Sequence, residues 1–90
     1  MSDIKWKILY TKQALKDKKT AYQAGFSDKI KSLIDILKNN PFEPYPPYEK
    51  LVGGLSGAYS RRINREHRLI YSVHKEVKAV KIISAWTHYE

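Results

Sequence analysis

The chain of 90 residues contains no cysteine. It can form no disulfide and do no thiolate chemistry, and the sulfur ligands that structural zinc favours are missing. That absence suits a reducing cytoplasm. No apolar run approaches the roughly 18 residues that span a bilayer, and the N-terminal stretch has no signal-type hydrophobic region. The expectation is a cytoplasmic protein with no membrane partner. Paired carboxylates and histidine clusters at metal-ligand spacing are absent, as is a glycine-rich nucleotide loop, so no metal and no cofactor are expected. Acidic residues are scarce. Nine Asp and Glu stand against seventeen Lys and Arg, for a formal net charge of +8, alongside seven tyrosines and two tryptophans. A small basic domain rich in aromatics points to an RNA or DNA partner. The competing reading is a charge surplus that serves solubility or an acidic partner protein.

Residues 1–90 are read as a single small domain. Ile4, Trp6, Ile8 and Tyr10 alternate with Lys5, Lys7 and Leu9 and predict a half-buried strand. Thr11 is placed to cap a helix running to about Ala24, with Ala14, Leu15, Lys18, Ala21 and Tyr22 along one side and Gly25 as its stop. Ser27 caps a second helix to about Asn39, whose Ile30, Leu33, Ile34 and Leu37 form a core stripe. All four prolines fall between Pro41 and Pro47 and end helical structure. This loop is expected to be ordered, with Phe42, Tyr45 and Tyr48 as aromatic anchors. Three strands follow, Ala58 to Ile63, His67 to Val73 and Lys78 to Thr87. The order β-α-α-β-β-β implies an α+β domain, an antiparallel sheet with both helices packed on one face.

Three places carry possible chemistry. Arg68 alternates with Leu69, Tyr71 and Val73, so it lies on the opposite face of its strand. Arg61, Arg62 and Arg65 are just upstream, across a hairpin. Arginine's rigid fork matches phosphate oxygens, so the cluster looks like a phosphate site. A solvated hairpin paired to Glu66 explains any single member equally well, and Arg61 and Arg62 must point opposite ways. The last strand ends on His88 and Tyr89. Histidine titrates near neutral pH, and the meander pairs this strand with the one bearing Arg68. His67 and His74 flank turns and read as surface residues. Tyr89 either stacks on a base or packs the terminus. Glu49 follows Pro46-Pro47-Tyr48 at the entry to the sheet, where it serves as a general base or as an ion-pair partner.

Asn40-Pro41-Phe42-Glu43, Glu49, Leu51, Leu55-Ser56-Gly57, Ser60-Arg61-Arg62-Ile63, Glu66-His67-Arg68-Leu69-Ile70-Tyr71 and His88-Tyr89 together form a specific pattern. It closely resembles the YoeB/Txe toxins of the RelE-like superfamily, over nearly the whole chain. The resemblance implies the RelE-like microbial RNase fold and a ribosome-dependent endoribonuclease that cuts messenger RNA in the ribosomal A site and stops translation. It implies a cognate YefM/Axe-like antitoxin, the ribosome and its mRNA as partners, and a homodimer as one possible assembly. It assigns the general base to Glu49, the phosphate-binding arginine to Arg68 and the general acid to His88. Arg62 is the accompanying arginine and Tyr89 the C-terminal tyrosine. The chain departs from the pattern twice. Ala58-Tyr59 replaces two aromatics, and Glu90 follows the tyrosine that usually ends the family's chains.

In that chemistry the RNA 2′-OH attacks the neighbouring phosphorus, and the products are a 2′,3′-cyclic phosphate and a 5′-OH end. Two other readings stay open. One is a ParE-like toxin acting on DNA gyrase without hydrolysis. The other is a basic binding module on the same scaffold.

Overall fold

The computed structural model describes residues 5–52 and 57–88, with His88 described at the backbone only. In chain order the elements are β1 (Lys7–Tyr10), α1 (Lys12–Gln23), α2 (Ser27–Asn39), β2 (Tyr48–Lys50), β3 (Ala58–Arg62), β4 (His67–His74) and β5 (Ala79–His88), with a 3₁₀ turn at Lys75–Val77 before β5. The five strands form one sheet in the order β1-β5-β4-β3-β2.

The helices follow from local chemistry. Thr11 Oγ1 accepts a hydrogen bond from the Ala14 amide at 3.0 Å and so caps α1. Gly25 takes φ +91°, a left-handed conformation that suits glycine and ends the helix. Of the expected α1 face, Ala14 and Ala21 are buried, whereas Leu15 is exposed. On α2 the whole expected stripe, Ile30, Leu33, Ile34 and Leu37, is buried. It packs with Leu69, Tyr71, Val80 and Ile82 into one core. Each such Leu or Ile contributes about 1.5–3 kcal/mol by leaving water.

The sheet differs from expectation in two ways. It is mixed, because β1 pairs in parallel with β5, Ile8 opposite Val80 and Tyr10 opposite Ile82. A first strand followed by a helical hairpin returns beside the last strand of the meander, and there the two run the same way. The sheet also has a fifth strand, β2, paired antiparallel to β3. It escapes sequence reading because it is three residues long and starts directly after Pro47, where amide donors resume. Of the three loop aromatics, Phe42 and Tyr48 are anchors. Both meet Tyr59 edge-on, at centroid distances of 5.8 and 5.5 Å. Tyr45 is not an anchor and stands 79% exposed.

Candidate active site

Strand register decides which side chains meet. Glu49 is opposite Ser60, Ser60 opposite Ile70, and Arg62 opposite Arg68. Directly opposed residues share a face, so Glu49, Ser60, Arg62 and Arg68 lie together, away from the face on which Leu69 and Tyr71 join the helices. This face is not a bare sheet surface. Ser60, Arg68 and Ile70 are buried on it, and Glu49 and Arg62 form its exposed rim.

The Arg68 guanidinium, only 4% exposed, is held from two sides. Its Nη1 donates to Glu49 Oε1 at 2.6 Å and to Ser60 Oγ at 2.9 Å. Glu49 itself is 61% exposed. One partner of this buried cation is therefore an anion that solvent, or another anion, can reach. Arg62 and Arg68 sit directly across from each other, and like charges so placed oppose folding. A cleft of about 270 Å³ opens here, lined by Lys29, Pro46, Pro47, Glu49, Ser60, Arg62 and Arg68.

The other predicted residues fall elsewhere. Arg61 is a correction, because it points to the opposite face and is 1% exposed. Its Nε donates to the Tyr71 hydroxyl at 3.0 Å. Its Nη1 donates to the Pro46 carbonyl, and its Nη2 donates to the carbonyls of Pro41 and Glu43 at 3.1 and 2.8 Å. Four of its five N–H donors are consumed by the protein, so it clamps the proline loop. Burial also pushes the Tyr71 phenol above its ordinary value, against the lowering effect of the Arg61 charge and hydrogen bond. Arg65 is exposed in the β3–β4 turn, outside the cleft lining.

The backbone of His88 lies opposite His67, and Thr87 lies opposite Arg68. Strand pairing therefore sets Thr87, and not His88, directly across from Arg68. The His88 side chain and Tyr89 lie outside the described residues. Two irregularities in the β4–β5 ladder set the line of this strand end. Helix α1 satisfies the backbone groups they free. Thr11 Oγ1 donates to the Ile83 carbonyl at 2.7 Å, and Asp17 Oδ2 accepts from the Ala85 amide at 3.1 Å. His67, read as an idle surface residue, stacks on Trp86 with centroids 3.8 Å apart.

Sequence reasoning missed Ser60 and Lys29 as cleft residues. Ser60 was available from the period-two rule, two positions before Arg62. Lys29 depends on how α2 docks, which no local pattern encodes. Among the described residues, no three His, Cys, Asp or Glu side chains gather where a metal could sit, and no helix is long and apolar enough to cross a membrane.

Comparison with known proteins bears on the family and the fold. The family model for the YoeB-like toxin of bacterial type II toxin–antitoxin systems matches residues 10–89. Toxin YoeB of Synechocystis sp. is 40% identical over 62 residues, 69% of this chain and 70% of that protein. A YoeB/ParE toxin from Agrobacterium tumefaciens superposes with a TM-score of 0.82 at 32% identity, covering 92% of this chain and 99% of that one. YoeB from Staphylococcus aureus, solved in complex with YefM, gives 0.76 at 38% identity, covering 93% and 98%. The same toxin solved as a dimer gives 0.78.

Proposed function

The chain belongs to the YoeB-like toxins of bacterial type II toxin–antitoxin systems, and from that premise we propose that it is a ribosome-dependent endoribonuclease. It cuts messenger RNA in the ribosomal A site and so arrests translation. One observation carries the reading. A buried guanidinium is held between a serine hydroxyl and a solvent-facing carboxylate, with a second arginine directly across the strand.

RNA brings its own nucleophile, the 2′-OH. Glu49 accepts its proton as the oxygen attacks the adjacent phosphorus in line. The incoming phosphate competes with Glu49 for the Arg68 fork. Taking Arg68 onto the phosphate releases the carboxylate beside the 2′-OH that it serves. Arg68, with Arg62 opposite, balances the charge that builds on the non-bridging oxygens, an effect worth about 10²–10³ in rate per well-placed donor. His88, cationic beforehand, protonates the departing 5′ oxygen. Tyr89 orients a base or its phosphate. The P–O5′ bond breaks as the P–O2′ bond forms, leaving a 2′,3′-cyclic phosphate and a 5′-OH.

The S. aureus relative was solved with YefM, and we assign this chain a cognate antitoxin of that YefM/Axe type. The ribosome is its other partner. The test adds purified protein to ribosomes programmed with mRNA and maps the new ends. The wild type should cut within the A-site codon, leaving cyclic-phosphate ends, and His88→Gln should lose about 10²–10⁴ in rate. An uncut message with the wild type, or an undiminished cut with His88→Gln, refutes the assignment. A supercoiling assay with DNA gyrase checks the ParE-like alternative, and the predicted result there is no inhibition.

A further inference from the structure

We propose that Tyr45 is a stacking platform for an RNA base beside the cleft, which extends the ribonuclease reading and rests on it. The loop around it is built to hold one aromatic outward. Phe42 and Tyr48 turn in against Tyr59. Between them, the Arg61 guanidinium grips the carbonyls of Glu43 and Pro46. Those two carbonyls bracket Pro44 and Tyr45, so the clamp fixes both feet of a short arch with Tyr45 at its tip. Proline at 44, 46 and 47 fixes φ on both sides of it.

A single exposed aromatic needs no explanation on its own. Here it stands on an immobilised arch whose next two residues, Pro46 and Pro47, line the cleft that also holds Lys29, Glu49, Arg62 and Arg68. A cleft of about 270 Å³ lies below the roughly 300–1,000 Å³ of pockets that enclose drug-sized ligands. It takes a phosphate and part of a ribose, and the attached base must lie outside, on the rim. Single-stranded RNA offers such splayed bases, and aromatic side chains are what they stack on. Because the arch is already ordered, binding does not spend free energy on ordering it.

The probe is a short oligoribonucleotide with a 2′-deoxy nucleotide at the cut site, which lacks the attacking hydroxyl and binds without being cleaved. Its affinity is measured for wild type, Tyr45→Ala and Tyr45→Phe, with the Tyr45 ring followed by NMR. Tyr45→Ala should weaken binding about 5- to 100-fold, the range for loss of one stacked base. Tyr45→Phe should bind like wild type, and the ring resonances of Tyr45 should move on adding the oligonucleotide. On programmed ribosomes Tyr45→Ala should raise KM and leave kcat in place. Unchanged affinity in Tyr45→Ala overturns the proposal, as does an equal loss in Tyr45→Phe. It is also overturned if Tyr45→Ala weakens an antitoxin peptide and spares the RNA. A wild type that binds the probe through Tyr45 but never cuts would refute the ribonuclease reading and leave the platform standing.

Discussion

Arg61 and Arg68 lie on neighbouring strands, and both are almost wholly buried, yet they are held in opposite ways. Arg61 is surrounded by three backbone carbonyls and a phenol. Its guanidinium also lies 4.9 Å from the centroid of the Tyr48 ring. None of these partners is an anion. Arg68 is held by a serine hydroxyl and by a carboxylate that is itself mostly exposed. A buried cation paired to neutral groups fixes structure. One paired to a solvent-facing anion can exchange that anion for another, and a phosphate is the exchange partner that the proposed ribonuclease reaction needs. The two arginines show that burial alone does not mark a residue as structural. What it is paired with does.

The contrast can be broken by substitution. Glu49→Gln removes the exchangeable anion and the proposed base, and should lower cleavage on programmed ribosomes by about 10²–10⁴ while circular dichroism stays native. Arg61→Met strips the buried Pro41 carbonyl, the buried Tyr71 phenol and two part-buried carbonyls of their donor, and a buried group left unsatisfied costs about 1–3 kcal/mol. The expected loss is about 3 kcal/mol or more. At roughly 4–8 °C per kcal/mol for a domain of this size, the melting temperature should fall by more than about 10 °C, and by more than in Arg68→Ala.

Alkaline pH probes the Arg61 side alone. The neutral Tyr71 phenol is favoured in the folded state, whose pKa is raised above the ordinary 10.0. The stability tied to it is fully present below pH 10 and is lost as pH rises through the folded value. Urea titrations at stepped alkaline pH should show this loss in wild type and a flatter profile in Tyr71→Phe. The smallest effect belongs to the loop. Tyr45→Ala should change stability by less than about 0.5 kcal/mol, whereas Phe42→Ala, which removes a ring from the Tyr48–Tyr59 cluster, should cost clearly more in the same melts.

Much of this was legible in the residues. The α2 stripe and the Thr11 and Gly25 helix ends depend on local spacing and capping, and the structure has them. So does the separation of Arg68 from Leu69 and Tyr71, which follows from the two-residue period of a strand. What failed depends on pairing between distant segments. The parallel β1–β5 contact and the short β2 carry no local signal. The same period that set Arg61 and Arg62 apart could not say which of them faced the cleft, because that depends on where the proline loop docks. The pairing of Thr87 with Arg68 and of His88 with His67 depends on two ladder irregularities that α1 supports through Thr11 and Asp17, a tertiary arrangement that no run of residues announces.

The measurement that tests the account most directly is the single-turnover cleavage rate on programmed ribosomes for Arg61→Lys and Arg68→Lys, each normalised to its folded fraction. Lysine keeps the charge and loses the fork. The account predicts that folded Arg61→Lys cuts at close to the wild-type rate, while Arg68→Lys, though folded, falls by about 10² or more. Equal losses in the two variants, or full activity in Arg68→Lys, would contradict it.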